Sequence, residues 1–159
     1  MSKWNHLDKD GNPQMVDVSG KTPTTRIAEA QSKVVLPADV YEKLQASSFV
    51  TKKGSVLQTA ILAGIMAAKK TSELIPLCHP LALNKCNVDI KMNDEDNSLA
   101  IKCTVKVDGK TGVEMEALTG VSVAALTIYD MCKAHSHDIL ITDTKLMQKQ
   151  GGKSDFNRG

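Results

Sequence analysis

Residues 87–107, NVDIKMNDEDNSLAIKCTVKV, hold two runs in which apolar and polar side chains alternate, separated by an acidic, asparagine-rich break. In the first run Val88, Ile90 and Met92 alternate with Asn87, Asp89 and Lys91; in the second Leu99, Ile101, Cys103, Val105 and Val107 alternate with Ala100, Lys102, Thr104 and Lys106. A period of two is that of a strand with one buried and one solvated face. The residues between, Asn93 to Asn97, are of the types that make a hairpin turn.

Working downstream, Asp108-Gly109 ends the second strand, and Thr111-Gly-Val-Glu114 has the spacing of a capping box opening a helix that runs to about His135. That helix is apolar or small almost all round from Ala117 to Ile128. A helix without a polar face is buried on two sides, which in a chain of 159 residues points to an oligomer interface. A last strand is expected from Ile139 to Met147.

Upstream, Val56, Leu57, Ala60, Ile61, Gly64, Ala67 and Ala68 line one small-residue face of a helix that follows Lys52-Lys53-Gly54. Before it, Pro37 opens a short helix, PADVYEKLQA, and Arg26 to Leu36 suits an extended segment with weak alternation. Residues 1–14 are polar and turn-rich and are expected to form a flexible arm, residues 15–150 a single domain, and residues 151–159 a flexible lysine-bearing tail. The order βαββαβ, with one extra short helix, is the split βαβ arrangement of a ferredoxin-like α+β fold: an antiparallel sheet with helices on one face.

Composition excludes several classes. The basic residues are 18 lysines with Arg26 and Arg158, set against 18 acids, so net charge is only +2, and aromatics are 3%. Neither the basic excess nor the stacking platforms of a nucleic-acid binder are present. The longest mostly apolar run, Ala117 to Tyr129, is too short and too polar to span a bilayer. Cys78, Cys86, Cys103 and Cys132 contain no C-x-x-C and fit no zinc module, and the start lacks a secretory pattern, so reduced thiols in a cytoplasmic protein without a bound metal are expected.

Reactive side chains concentrate in four places. In Pro76-Leu-Cys-His-Pro80 the prolines favour extended backbone, which would send Cys78 and His79 to opposite sides; the alternative is a rigid loop with a buried cysteine and a histidine bonded to backbone. In Gly112-Val-Glu-Met-Glu116, the capping box explains Glu114 but not Glu116. Two acids at a helix start repel phosphate yet suit the N–H groups of a guanine or pterin edge. Asp130 and Lys133 share a helix face, either as a surface ion pair or, if partly buried, as a lysine tuned for proton transfer. Arg26, Lys52-Lys53, Lys69-Lys70, Lys149 and Lys153 flank glycines or helix ends, where anions are commonly held. Gly109-Lys-Thr111 and Gly152-Lys-Ser154 lack the earlier glycine of a P-loop, so any polyphosphate must be held by side chains. Glu116 and Asp130 lie fourteen residues apart on one helix, about 21 Å of axis. A site using both must be composite across subunits.

With Met15-Val-Asp-Val18, Ala67-Ala-Lys-Lys-Thr71, Leu74-Ile-Pro-Leu-Cys-His-Pro80, Gly109-Lys-Thr-Gly-Val-Glu-Met-Glu-Ala-Leu-Thr119, Ser122-Val-Ala-Ala-Leu-Thr-Ile-Tyr-Asp-Met-Cys-Lys133 and Gly151-Gly-Lys-Ser154 in order, the chain closely resembles the cyclic pyranopterin monophosphate synthase family, the molybdenum cofactor biosynthesis protein C family. The resemblance implies a lyase that converts 3′,8-cyclo-7,8-dihydroguanosine 5′-triphosphate to cyclic pyranopterin monophosphate and pyrophosphate. It also implies a hexamer, a trimer of dimers with sites at subunit interfaces. By position, Asp130, Lys133 and Lys53 match catalytic residues, and Leu77, Cys78, His79, Met115 and Glu116 match substrate-contacting segments. Arg26, Lys69, Glu114, Lys149 and Lys153 fall in further site positions. The family pattern has Lys-Gly-Asp where this chain has Lys53-Gly-Ser55, and a glycine where it has Asp155. Such a rearrangement needs proton transfers but no redox change, so general acid–base side chains suffice without a redox cofactor. The alternative from another class is a non-catalytic purine-nucleotide or pterin-binding module; a third is a structural oligomer with solvated lysines.

Overall fold

The hairpin of residues 85–109 is built largely as its alternation requires, except that Met92, expected on the buried face, is left 51% exposed beside the turn. In a computed structural model of the chain, which describes residues 4–159, β4 (Lys85–Asn93) and β5 (Ser98–Gly109) pair antiparallel with Val88 opposite Cys103. β5 then pairs with β1 (Thr24–Val35), β1 with β6 (Leu140–Gln150), and β6 with the two-residue β7 (Phe156–Asn157), all antiparallel. The order β4-β5-β1-β6-β7 places β1 between β5 and β6 and β5 between β4 and β1. The two crossovers, β1 to β4 through α2 (Val56–Lys69) and β5 to β6 through α4 (Glu114–Cys132), therefore each skip one strand. That is the ferredoxin-like α+β topology expected, with α1 (Ala38–Ala46) as the extra helix. A four-residue helix, α3 (Thr71–Leu74), follows α2. Of the arm expected over residues 1–14, residues 1–3 lie outside the described residues.

β1 alternated weakly because its helix-facing residues, Ala28, Ala30, Ser32 and Val34, are small, which lowers the contrast with the polar side. Small residues are needed there because α4 packs on the centre of the sheet. The Ser32 hydroxyl, buried among them, is paired with the Thr144 hydroxyl at 2.8 Å. The core is completed by Leu99, Ile101, Val105 and Val107 of β5 and by Ala117, Val121, Ala124, Ala125 and Ile128 of α4.

The two-sided burial of α4 is met inside the chain, which corrects the expectation that it marks an oligomer interface. One side lies on β1, β5 and β6; the other meets α2. Two glycines make this possible. A Cβ on Gly64 would stand 2.9 Å from the Gly120 carbonyl, and one on Gly120 would stand 2.7 Å from Cys103 Sγ. The helical layer instead leaves apolar side chains in solvent, among them Leu62 and Met66, one turn apart on α2, and Leu126 on α4.

A small hairpin, β2 (Val50–Thr51) with β3 (Gly54–Ser55), was not foreseen. It has Lys52-Lys53 at its tip, with Gly54 at φ +108°. Ser48 and Phe49 just before it sit at φ 54° and 57°. Such strain costs about 1–3 kcal/mol per residue, and the buried Phe49 ring, edge-on to Tyr41 at 5.9 Å, helps offset it. Ser55 then caps α2, its hydroxyl accepting from the Gln58 N–H at 3.3 Å. Serine serves a helix start about as well as aspartate, so the departure at Ser55 leaves this cap intact.

Candidate active site

α4 presents reactive groups at both ends. At its N-terminal end is an open cavity of about 420 Å³ lined by Arg26, Leu77, Cys78, His79, Glu114, Met115, Glu116, Lys149 and Lys153, all expected site residues. Lys21, Val16, Val18, Thr111 and Gly112 also line it. Val16, Val18, Thr111 and Gly112 lie in stretches the sequence already singles out, Met15–Val18 and Gly109–Thr119, without being assigned to the site; Lys21 lies outside them, and Val16 reaches the wall through His79, 63 residues away.

The capping box is not formed. α4 begins at Glu114 itself, with Val113 in the cap position and no side-chain cap bond, so Glu114 stands two residues before the position from which a capping box reaches back. Its carboxylate folds over Gly112, where a Cβ would collide with it, and meets Lys149 Nζ at 3.4 Å. Glu114 thus sits in the cavity wall as an ion-paired carboxylate.

Glu116 is different. It is only 5% exposed, and its Oε2 has no hydrogen-bond partner. Burial, opposed by a backbone hydrogen bond and aided by Glu114, pushes its carboxyl up to about 7. An unpaired buried carboxyl oxygen costs stability, and a ligand bearing N–H donors would satisfy it. The Cys78 thiol is raised as well, first by burial and then by the Glu116 charge.

A turn at Pro76-Leu77, closed by the Cys78 N–H donating to the Ile75 carbonyl at 3.2 Å, interrupts the extended backbone expected there. Cys78 and His79 consequently line the same cavity rather than opposite sides. His79 Nε2 lies 2.6 Å from the Val16 carbonyl, so one ring nitrogen ties the 15–18 segment to the wall, the backbone-bonded arrangement left open above. Arg26 Nε donates to the Gly109 carbonyl at 3.1 Å, and its guanidinium runs beside Gly152. The tail turns at Gly151, where φ is +91° and a Cβ would strike the Thr25 carbonyl. Asp155 closes this turn by accepting from the Gly151 N–H at 3.2 Å, and Phe156-Asn157 pair with β6, which leaves Lys153 on the cavity wall.

At the other end of α4, Asp130 bridges two lysines. Its Oδ1 is 2.9 Å from Lys133 Nζ and its Oδ2 is 3.0 Å from Lys53 Nζ. Lys53 reaches it from the tip of the β2–β3 hairpin. Hydrogen bonds from Lys133 and Lys53 hold the Asp130 carboxyl below its usual range. In return Asp130 holds Lys133 above the usual lysine range. The Lys133 side chain is 55% exposed, so within one chain it is a firmly protonated acid and not a lysine tuned towards neutrality. A second cavity of about 560 Å³ opens beside this cluster between α1, the hairpin and the end of α4.

Lys69 lines neither cavity; it ends α2, close to Cys86. The expected residues are thus split: nine at one end of α4, Asp130, Lys133 and Lys53 at the other, and Lys69 apart. Among the described residues there is no group of three or more His, Cys, Asp and Glu side chains placed to hold a metal ion, and no helix long and apolar enough to cross a membrane.

Fold and site together define a ferredoxin-like domain with acid–base and cationic side chains gathered at the two ends of one buried helix. The MoaC family model matches residues 15–152. A cyclic pyranopterin monophosphate synthase of Xanthomonas oryzae pv. oryzae (strain MAFF 311018) is 53% identical over 155 residues, covering 98% of this chain and 93% of the relative. Proteins of the same name from Xanthomonas axonopodis pv. citri (strain 306) and Xanthomonas campestris pv. campestris (strain B100) are 53% and 52% identical over the same shares. The chain belongs to the MoaC family.

Proposed function

We propose that the chain converts 3′,8-cyclo-7,8-dihydroguanosine 5′-triphosphate to cyclic pyranopterin monophosphate with release of pyrophosphate, at sites assembled between copies of itself. Cyclic pyranopterin monophosphate synthesis, a lyase step of molybdenum cofactor biosynthesis, is the activity that goes with this family membership. The observation that carries the composite site is the separation of the Glu116 cavity from the Asp130 cluster along α4. Acid–base groups must come within about 3 Å of the proton they move, and about 21 Å of helix lies between these two sets. A second copy that sets its Asp130 end against the first copy's Glu116 end brings them together. Repeated around a trimer of dimers, this arrangement yields a homo-hexamer in the cytoplasm.

In that site Glu116 accepts from the N–H edge of the purine-derived ring, with Leu77, Cys78, His79 and Met115 around the ring. Arg26, Lys149 and Lys153 meet the phosphates, Lys149 exchanging its Glu114 partner for substrate oxygens. Lys133, kept charged by Asp130, donates protons to groups that leave as the purine ring opens. Lys53, drawn from Asp130 to the substrate, offsets charge on the departing pyrophosphate. Lys69 joins the site from the second copy. Incubating the purified protein with the cyclised nucleotide tests the reading: equimolar pyrophosphate and a pterin product are expected. Saturable binding with the ligand recovered unchanged would show a binding module instead.

A further inference from the structure

Cys78 lies on the cavity wall, but the activity leaves the other thiols unused. Two of them are neighbours. Cys86 on β4 and Cys103 on β5 are free thiols whose sulfurs are 3.9 Å apart. The strand register pairs Cys86 with Val105 and Val88 with Cys103, so the two cysteines are diagonal partners on one sheet face, the face that carries the helices. Cys103 is fully buried beneath Gly120 of α4; Cys86 is half-buried. Their hydrogen bond splits their acidities. It lowers Cys86, which Lys69 also lowers, and raises Cys103, which burial raises further. The more reachable sulfur is therefore also the one that gives a thiolate first.

We infer that Cys86 and Cys103 form a reversible intrachain disulfide when the protein meets a small-molecule disulfide. The Cys86 thiolate attacks one sulfur of the reagent, making a mixed disulfide and expelling one thiolate. The Cys103 thiol then gives up its proton as its sulfur attacks that of Cys86, and the second reagent thiolate leaves. The two protein thiols lose two protons and two electrons in all, and one small disulfide is reduced to two small thiols. Closing the bond brings the sulfurs together by roughly 2 Å, to the 2.03–2.05 Å of a disulfide. Diagonal partners have Cα atoms about 7–8 Å apart, at or beyond the span an unstrained disulfide bridges. Closing the bond therefore requires β4 to shift towards β5 at Cys86, and the bond is strained and readily reduced, a reversible mark beside Lys69 and not a permanent staple.

The test is to expose the folded, full-length protein to millimolar oxidised glutathione, quench with acid, weigh one portion, and alkylate the other under denaturing conditions before digestion. The expected result is loss of the mass of two hydrogen atoms, a linked peptide pair containing Cys86 and Cys103, alkylation confined to Cys78 and Cys132, and full reversal by dithiothreitol. Cys86→Ser and Cys86→Ala, at a half-buried position, lose this signature while keeping the far-ultraviolet circular dichroism of the parent. A glutathione adduct that persists on Cys86 with Cys103 still alkylatable would overturn the inference. So would a link through Cys78, a link between chains, or an unchanged mass.

Discussion

Glu116 shows how one side chain couples stability to function. Its pKa is raised from 4.5 to about 7 by burial, so the folded chain holds that proton more tightly than the unfolded chain does. The resulting stability is fully present below about pH 4.5 and is lost as pH rises through about 7. At pH 8 the ionised group costs on the order of 1–3 kcal/mol once solvent screening is allowed for. Urea unfolding at pH 5 and pH 8 should therefore show a smaller stability loss in Glu116→Gln than in the parent. Turnover should fall in the same variant, because an amide cannot accept from the ring edge with the strength of a carboxylate. Lys133 makes the opposite case. Its pair with Asp130 is more than half exposed, so Lys133→Ala should leave the melting temperature nearly unchanged while lowering kcat by about 10²–10⁴-fold. Parental turnover in that variant would remove Lys133 from the chemistry. Glu116 stood out in the sequence because the capping box did not account for it, whereas Lys133 was open to a second reading as half of a surface ion pair with Asp130. What it could not supply was Lys53 on Asp130, a contact between residues 77 apart made by a hairpin the sequence pattern did not reveal.

Among the elements, α4 carries most of the design. Its N-terminal turn places Glu114 and Glu116 in a cavity, its centre is buried between sheet and α2, and its last turn carries Asp130. Small residues at the centre hold those ends in place. Gly120→Ala would press a methyl into Cys103 Sγ and should destabilise the fold by about 1–3 kcal/mol, read as a shift of the urea midpoint. Combining it with Cys103→Ala should recover part of that loss, giving a non-zero coupling in the double-mutant cycle; strictly additive losses would show that the contact is not what makes Gly120 necessary. The small-residue pattern of α2 was legible in the sequence as a demand for close contact. Which surface met the demand was not, and the assignment of α4's second side to another subunit failed because α2 supplies it within the chain.

For the molecule as a whole, the split between the ends of α4 is the central fact. If sites form between copies, each takes its Glu116 end from one chain and its Asp130 end from another. Glu116→Gln and Asp130→Asn chains, each weakly active alone, should then complement when unfolded together and refolded at equal amounts. Random pairing leaves about a quarter of the sites with both ends intact. Activity that never exceeds the mean of the separate variants would sink the composite site. The exposed Leu62, Met66 and Leu126 predict that the chain sediments as an oligomer. Replacing Leu62 and Leu126 with lysine would test whether that face contributes to the assembly.

By itself the sequence determined the layer architecture, because the period-two runs, the small-residue helix face and the order of elements admit few topologies. Its chemistry also singled out candidate acids, cations, Cys78 and His79, and the family resemblance added Leu77 and Met115. Tertiary structure decided where those groups meet. It brought His79, Glu116, Arg26 and the tail lysine into one cavity, set Lys53 on Asp130, buried one carboxyl oxygen of Glu116 without a partner and put two thiols within reach of each other. Hydrophobic patterning encodes which face of an element is covered. The pairing of particular side chains depends on glycine contacts, turns with positive φ and strand register, which act over distances that local pattern does not carry.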